Sequence, residues 1–445
     1  MKLSLSRTYG YPLKLAMGVL IATLSPSLFA KANVVHWQDQ IPSALAPFQQ
    51  QAQTLADLTQ SNIFVYAHPP QQTHLPTYPQ NQFPKVQFQS AAVILPASAA
   101  EVRKLLLNYP AYVGLYPTLT QATPLLQQEG VTQMKYRIEI PTPIPILNFK
   151  QNVRFQHHVE QNAIRSLILD APIPYGLGKI EWFELAPQRT MVTITQWGDL
   201  NQPKSFLIRK VLEAVPDAKA GIPAATNGFL LESLRQRLGK QLPNNLQADQ
   251  WPSLQLNSSQ EAFLIKHIKQ TGQPVSFMHA PSTVRYSHGA EPMRFATTFQ
   301  YFARPVEKAK ILLSPDIFKT LFPRQVKGIE RKSLSESQEL VHYKIGASLG
   351  VITIPFDLHM RYQQVDPLHI RYEAADSGDL RYIKGDMKLR QEDQGTLLTV
   401  TSASKVDANA PLLLRAARSL PFHDVLPGLT SNTIMAVKSK EILKN

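Results

Sequence analysis

Apolar and polar positions alternate along much of the chain, the pattern of strands that have one covered face. Met134, Tyr136 and Ile138 fall on one face of such a segment, whereas Lys135 and Arg137 fall on the other. This pattern predicts an antiparallel sheet with one buried face and one wet face.

The same alternation, bounded by turn residues, predicts six consecutive strands in each half of the chain. In the first half they lie at 118–128, 131–140, 147–160, 163–169, 179–185 and 190–197. In the second half they lie at 325–334, 339–347, 352–364, 369–374, 382–390 and 396–402.

Predicted helices and further strands precede and follow each run of six strands. A short helix and a strand lead each half, at 46–59 and 63–67, then at 260–270 and 275–278. The next strands, 86–95 and 294–303, end in Pro and precede a helix, and further helices close each half. Because proline disrupts helices, we expect the closing helices to be broken at 216–223 and 421–427.

The two halves repeat each other. His68 and His279 are 211 residues apart, and Asn227 and Asn432 are 205 apart. Other matched residues across the chain are separated by similar distances, whereas chance matches would scatter. The pattern indicates an internal duplication.

The duplication predicts a domain organisation. We expect a first domain at 33–240, a polar linker containing Pro and Gln at 241–256, and a second domain at 257–445.

Residues 1–32 resemble a secretion signal. Lys2, Arg7 and Lys14 precede or begin an apolar stretch, and Ala30-Lys31-Ala32 fits a small-x-small cleavage site. The sequence therefore predicts export, with cleavage near Ala32 and a periplasmic location. An uncleaved anchor is the alternative, although the stretch is short for a span.

The charge and composition of the chain limit the kinds of partner that it can bind. The formal net charge is +14 and there is no Cys. A basic surface attracts anionic headgroups and nucleic acids alike, but export argues against nucleic acid and favours a membrane surface or a ligand. Without Cys, thiolate metal sites are excluded, and we predict neither a metal nor a cofactor.

A local motif resembles a known family. Leu95-Pro96-Ala97-Ser98-Ala99-Ala100-Glu101-Val102 is followed by an aromatic-rich turn that ends at Tyr116-Pro117, and the second half has a thinner version ending at Phe322-Pro323. This order resembles the opening of START-like proteins of the SRPBCC superfamily, which includes polyketide cyclases and coenzyme-Q-binding proteins.

The resemblance implies an α+β fold with two tandem helix-grip (START-like) domains. Each would be a curved antiparallel sheet wrapped around a C-terminal helix, with an apolar cavity between them. Such a cavity suits a lipid, a quinone or another hydrophobic small molecule, because burying apolar surface favours binding.

Candidate ligand-binding residues lie on the apolar faces of the strands, where the alternative is that they only fill the core. In the first half they are Tyr136, Phe149, Val153, Phe155 and Trp182. In the second half they are Tyr343, Phe356, Leu358, Met360 and Tyr362. A buried phenol such as Tyr136 or Tyr343 needs a partner and could orient a polar ligand head.

Other polar residues have simpler interpretations. Arg154 and Arg361 have the opposite parity to the apolar residues and should face solvent. His157 and His158 are adjacent on a strand and point to opposite faces, so they cannot chelate one metal as a pair. Structural hydrogen bonds are expected for His68 and His279, and Asp376 and Asp379 are expected in a turn.

No catalytic residues are predicted, because no nucleophile is paired with a base at a readable spacing. We expect an exported protein that binds or transfers a hydrophobic ligand. The apolar loops 140–146 and 171–177, with helices at 205–215 and 411–420, would gate entry and contact the membrane. The alternatives are an aromatase/cyclase-type enzyme using polar groups such as Tyr136 or Ser166, and a non-catalytic envelope interaction protein.

Overall fold

A computed structural model describes residues 33–444 except 39–40, 77, 79–82, 141–147, 240–243, 248, 287–288, 349–352, 409, 416–417, 419–422 and 424–425. The predicted signal and most of loop 140–146 therefore lie outside the described residues, as do residues 416–417 and 419–420 of the helix predicted at 411–420. No helix among the described residues is long and apolar enough to span a bilayer.

The first half contains the following elements in chain order. They are α1 (Ala52–Thr59), β1 (Ile63–Ala67), β2 (Gln71–Gln72), β3 (Lys85–Val86), β4 (Gln89–Leu95), α2 (Ala99–Leu107), α3 (Tyr112–Leu115), β5 (Leu119–Gln128), β6 (Val131–Ile140), β7 (Phe149–Val159), β8 (Ala163–Asp170), β9 (Gly176–Ala186), β10 (Arg189–Gly198), α4 (Phe206–Ala214) and α5 (Ala218–Leu238).

The second half follows the same order with one added strand at its start. Its elements are β11 (Asn244–Leu246), α6 (Ser258–Thr271), β12 (Val275–Met278), β13 (Ser282–Tyr286), β14 (Gly289–Met293), β15 (Ala296–Phe302), α7 (Val306–Ala309), α8 (Ile317–Leu321), β16 (Val326–Ser333), β17 (Gln338–Ser348), β18 (Thr353–Asp366), β19 (His369–Ala374), β20 (Tyr382–Glu392), β21 (Gly395–Lys405), α9 (Leu412–Arg415) and α10 (Leu426–Ile442).

One antiparallel sheet of sixteen strands runs through both halves, in the order β16-β17-β18-β19-β20-β21-β15-β12-β1-β4-β10-β9-β8-β7-β6-β5. The halves join where β1 pairs with β12, and Val65 lies opposite Ser276. These two residues are 211 apart, the same offset as His68 and His279. Equivalent residues therefore face each other at the junction, so the halves are related by an approximate two-fold axis.

Helices cover both faces of the sheet at this junction. Helix α5 packs on β4 and β10, and α10 packs on β15 and β21. On the opposite face, Leu55 of α1 and Leu264 of α6 bury Phe64 and other aromatic rings. Alternation along β1 makes this possible, because Ile63 and Val65 join the core beneath α5 instead.

The closing helix differs from its predicted break. Helix α5 begins at Ala218 and continues through Pro223, so the interruption after α4 ends before that residue. Proline removes one helical hydrogen bond but does not end this helix. In the second half, Pro427 lies in the first turn of α10, where a missing amide proton costs nothing.

Leading segments cover the outer face of the sheet in a matching way. Trp37 packs against the Arg165 guanidinium at 5.7 Å, and Trp251 packs against Arg371 at 4.4 Å. Trp251 and strand β11 lie within the predicted linker, and β11 pairs with β13. The segment before each half therefore seals the convex side of its sheet.

Candidate functional site

A cavity of 380 Å³ lies in the first half, enclosed by the concave face of the sheet and by α5. Strand alternation turns the same parity of β6 and β7 inward, which brings Tyr136 and Ile138 beside Val153 and Phe155. Helix α5 closes the other side with Ile222, Pro223, Thr226, Phe229 and Leu230. The wall is mostly apolar.

A chain of three polar side chains interrupts this apolar wall. The Tyr136 hydroxyl lies 3.2 Å from His157 Nε2, and His157 Nδ1 lies 2.8 Å from Ser166 Oγ. All three residues line the cavity. They come from β6, β7 and β8, which are neighbours in the sheet, so strand pairing fixes their spacing.

Packing also holds the imidazole of His157 in place. The ring of Tyr109 stacks on it with centroids 4.5 Å apart, and Phe155 stacks at 5.9 Å. Burial, with a smaller effect of His158, lowers the pKa of His157 to about 3. His157 is therefore neutral at physiological pH, and burial likewise raises the pKa of Tyr136.

Several other polar groups at the cavity wall have hydrogen-bond partners within the protein. Gln196 Nε2 donates to Asn227 Oδ1 at 2.7 Å, and the Thr226 hydroxyl donates to the Ile222 carbonyl at 2.8 Å. Lys179 reaches the wall, but its ammonium group donates to the Ile41 carbonyl at 3.2 Å. None of the other described residues that line the cavity carries a formal charge at neutral pH.

The second half contains a smaller cavity of 270 Å³. Its wall includes Tyr343, Tyr362 and Tyr372, and α10 contributes Asn432 and Met435. The Tyr343 and Tyr362 hydroxyls lie 2.9 Å apart, and Tyr343 also donates to the Pro315 carbonyl at 3.1 Å. The polar groups of these two rings are thus used inside the protein.

Seven of the ten residues predicted to bind ligand line one of the two cavities. The first cavity includes Tyr136, Val153 and Phe155, and the second includes Tyr343, Leu358, Met360 and Tyr362.

The remaining three lie elsewhere. Phe149 is half-buried at the start of β7, outside the cavity wall. Trp182 is buried in the core of the first half, and Phe356 packs beside Ile354 and Leu414. Parity alone cannot separate these positions from the wall, because a strand is longer than the cavity.

Sequence reasoning missed His157 as a cavity residue. His157 shares the parity of Val153 and Phe155, and that signal was available. It was weighed only as a metal ligand with His158, which indeed faces the other side and accepts from Trp37 Nε1 at 3.3 Å. Tyr112, Tyr116 and the α5 residues at the wall were also missed, because they precede or follow the strands.

Several simpler expectations agree with the structure. Arg154 and Arg361 are exposed. The predicted structural bonds are present, since His68 Nε2 lies 2.7 Å from Ser90 Oγ and His279 Nε2 lies 2.7 Å from Thr297 Oγ1. Asp376 lies in a turn and Asp379 in the bend that follows.

The loop 171–177, predicted to gate entry and to contact the membrane, lies beside the first cavity. Ile173 and Tyr175 are half-buried. Ile173 lines the first cavity, and Tyr175 packs on Tyr78 with ring centroids 4.6 Å apart. The loop is apolar because it closes the cavity from inside.

Comparisons were made with known proteins. No family model and no curated protein matches the chain. Among similar solved structures, the di-domain ARO/CYC BexL is 9% identical, covers 81% of this chain and 99% of its own, and has a TM-score of 0.27. The di-domain ARO/CYC StfQ from the steffimycin biosynthetic pathway is 11% identical, with coverages of 80% and 98% and a TM-score of 0.25.

A STAR-related lipid transfer protein from Xanthomonas axonopodis is 19% identical, covers 34% of this chain and 86% of its own, and has a TM-score of 0.24. Likeness at these TM-scores carries no weight for ligand or activity. The strand order of the chain itself supports the fold. Each half is a helix-grip unit, with a curved antiparallel sheet closed by its last helix.

Proposed function

We propose that the protein binds a hydrophobic ligand, such as a lipid or a quinone, in the cavity of its first half. The observation that carries this proposal is the 380 Å³ space between sheet and α5, with its mostly apolar wall. Small-molecule pockets commonly measure about 300 to 1,000 Å³ and are lined by apolar groups with a few placed polar ones.

The proposal includes export and transfer. Residues 1–32 resemble a secretion signal, so binding would take place in the periplasm. On α4, the exposed side chain of Phe206 lies below the Lys210 ammonium at 5.7 Å, and Arg209 is exposed nearby. An apolar residue among cations suits contact with an anionic membrane surface, from which a ligand would be loaded.

The test is extraction of the natively purified protein with organic solvent, followed by mass spectrometry. We expect one lipid or quinone class in near-stoichiometric amount. A clean extract, together with no uptake of a fluorescent fatty alcohol or a quinone, would favour the interaction-protein alternative.

Membrane contact and export have separate tests. Phe206→Asp should weaken sedimentation with vesicles of anionic phospholipid, and unchanged sedimentation would remove α4 from the proposal. Fractionation of cells that express the full chain should place the shortened protein in the periplasm.

A second candidate is an enzyme of the aromatase/cyclase kind, favoured by the Tyr136, His157 and Ser166 chain inside the cavity. His157 positions the Tyr136 phenol, which can donate to a ligand carbonyl and so acidify the neighbouring carbon. Loss of that carbon's proton together with a hydroxyl group of the ligand releases one water. Incubation of the extracted ligand with the protein tests this. A product lighter by one water, absent with His157→Phe, would support the enzyme.

A further inference from the structure

We infer that the first cavity selects an uncharged ligand whose polar head is a carbonyl or a hydroxyl group held by Tyr136. This inference rests on the proposed binding function and specifies the chemical class of the ligand. It also assigns head-group recognition to the first half alone.

The described inner face of the wall offers no countercharge to an anionic head group. Among the described residues at the wall, Lys179 is the only one with a formal charge. It alternates with Ile180, which packs against the inner core, so its side chain lies on the outer face, where the ammonium group donates to the Ile41 carbonyl. His157 is neutral. Burying a carboxylate or a phosphate without a partner is costly, so the cavity discriminates against anionic lipids.

The chain of Tyr136, His157 and Ser166 offers a polar contact to a ligand head. A neutral imidazole carries one ring proton, so it donates on one side and accepts on the other. If His157 donates from Nε2 to Tyr136 Oη, the phenol proton is left to donate to a ligand carbonyl. If His157 donates from Nδ1 to Ser166, Tyr136 donates to Nε2, and its oxygen is left to accept from a ligand hydroxyl.

The same chain can therefore serve either kind of head group. His157 Nε2 lies 3.2 Å from the Tyr136 hydroxyl, and Nδ1 lies 2.8 Å from the Ser166 hydroxyl. Either tautomer of the ring therefore keeps both hydrogen bonds. An aliphatic ketone and an alcohol of equal chain length should both bind, whereas an alkane leaves the polar chain without a partner and should bind less well.

The second half lacks this arrangement. At an offset of 207 residues, Glu339 matches Thr132, and Glu339 pairs with Tyr362 in the sheet as Thr132 pairs with His157. The phenol of Tyr362 therefore replaces the imidazole. Tyr343 matches Tyr136 at the same offset, but its hydroxyl bonds to Tyr362 and to the Pro315 carbonyl. Tyr343 is thus a matched control for Tyr136.

The experiment measures calorimetric binding of four probes with twelve- or thirteen-carbon chains at pH 8. The probes are dodecane, 2-tridecanone, 1-dodecanol and dodecanoate. We expect the ketone and the alcohol to bind about threefold to tenfold more tightly than the alkane. Dodecanoate should bind at least about a hundredfold more weakly than the ketone, because its charge finds no partner.

Variants locate the head group. Tyr136→Phe should reduce ketone affinity by about threefold to tenfold, to that of the alkane, and leave alkane affinity unchanged. Tyr343→Phe should change neither. If Tyr136→Phe unfolds the protein, Ser166→Ala provides the second readout, since it should weaken alcohol binding with little effect on the alkane.

The pH dependence of binding affinity distinguishes an effect of ligand charge from an effect of protein charge. Ketone affinity should stay flat between pH 8 and pH 5, because His157 remains neutral across that window. Dodecanoic acid should bind progressively more tightly as acid protonates the ligand. Equal affinities for all four probes, or tightest binding of dodecanoate at pH 8, would overturn the inference while leaving hydrophobic binding in place. If no probe binds, the proposed function itself fails.

Discussion

The two halves of the molecule share one framework and differ in what their cavities contain. In the first half, Ser90 lies 2.7 Å from His68 and 2.6 Å from Thr195. In the second half, Thr297 lies 2.7 Å from His279 and 2.8 Å from Thr401. Each terminal helix also presents an Asn, namely Asn227 and Asn432, whose amide donates to a strand carbonyl.

The cavity walls have diverged. The first wall carries His157 and Ser166, whereas matched positions in the second half carry Tyr362 and Tyr372. Tyr372 lies so close to Gly385 that a Cβ there would meet its ring at 2.0 Å. The larger ring contributes to a smaller space. A duplicated fold can therefore keep its strand-to-strand hydrogen bonds while its inward side chains take different roles.

The largest expected effect concerns a buried ion cluster that only the first half's terminal helix provides. Glu232, which is 1% exposed, pairs with Arg235 and with Arg294 of the second half, and Val437 occupies the matched position of the second half. Glu232→Ala should lower the free energy of unfolding by about 3–5 kcal/mol, because two arginines lose their counterion. Urea denaturation measures this loss.

Glu213→Ala is the control for the buried cluster. Glu213 pairs with Lys210 at the surface, and its loss should change stability by less than about 1 kcal/mol. Similar losses of stability for both variants would show that the buried ion cluster contributes no more than a surface ion pair and does not hold the halves together.

The next effect is a dependence of stability on pH. Burial lowers the pKa of His68 and His157 to about 3 and that of His279 to about 4, from an ordinary 6.5. The unfolded chain therefore binds protons first, and stability falls as the pH drops below 6.5. Each histidine should account for about 2 kcal/mol lost between pH 7 and pH 5.

His157 is a difference between the halves in this measurement, because its matched position holds Tyr362, whose raised pKa keeps the phenol uncharged at pH 7 and pH 5. His157→Gln should reduce the pH-dependent loss by about 2 kcal/mol over the same window. Denaturation series at pH 7 and pH 5 provide the comparison, and an unchanged pH dependence would show that His157 is accessible to protons in the folded state.

A smaller effect tests which cavity binds the ligand. Val153 of β7 lines the first cavity, and Met360 of β18 lines the second. Val153→Phe adds volume to the first cavity and should weaken ligand binding at least about tenfold, or about 1.4 kcal/mol. Met360→Phe should leave it within about twofold. The opposite ranking would move the binding site to the second half.

The smallest expected effect concerns α2 and α7, the helices that follow β4 and β15. Ser98 caps α2 and shares a capping box with Glu101, whereas Pro305 precedes α7 without a side-chain cap. Ser98→Ala should cost about 1 kcal/mol, and Ser98→Thr should retain most of the stability. Thermal melting distinguishes the two variants, and equal melting temperatures would mean that the cap contributes nothing.

The sequence by itself determined most of the elements and their order, although the short strands β2, β11, β13 and β14 were not predicted. Alternation placed β6 at 131–140 and β19 at 369–374, with the bounds that the structure shows. The matched offsets revealed the duplication, because equivalent residues keep equivalent hydrogen bonds. These features depend on local periodicity and on repeated residues, both of which can be read along the chain.

Only the tertiary structure decided how the halves join and which residues form the site. The pairing of β1 with β12 merges two sheets, and a strand edge carries no sequence mark of its partner. His157 becomes part of a polar chain only because β6, β7 and β8 are adjacent and α5 closes above them. The role of a side chain in a cavity depends on the residues that strand register and helix packing bring around it, and one strand's periodicity carries no information about them.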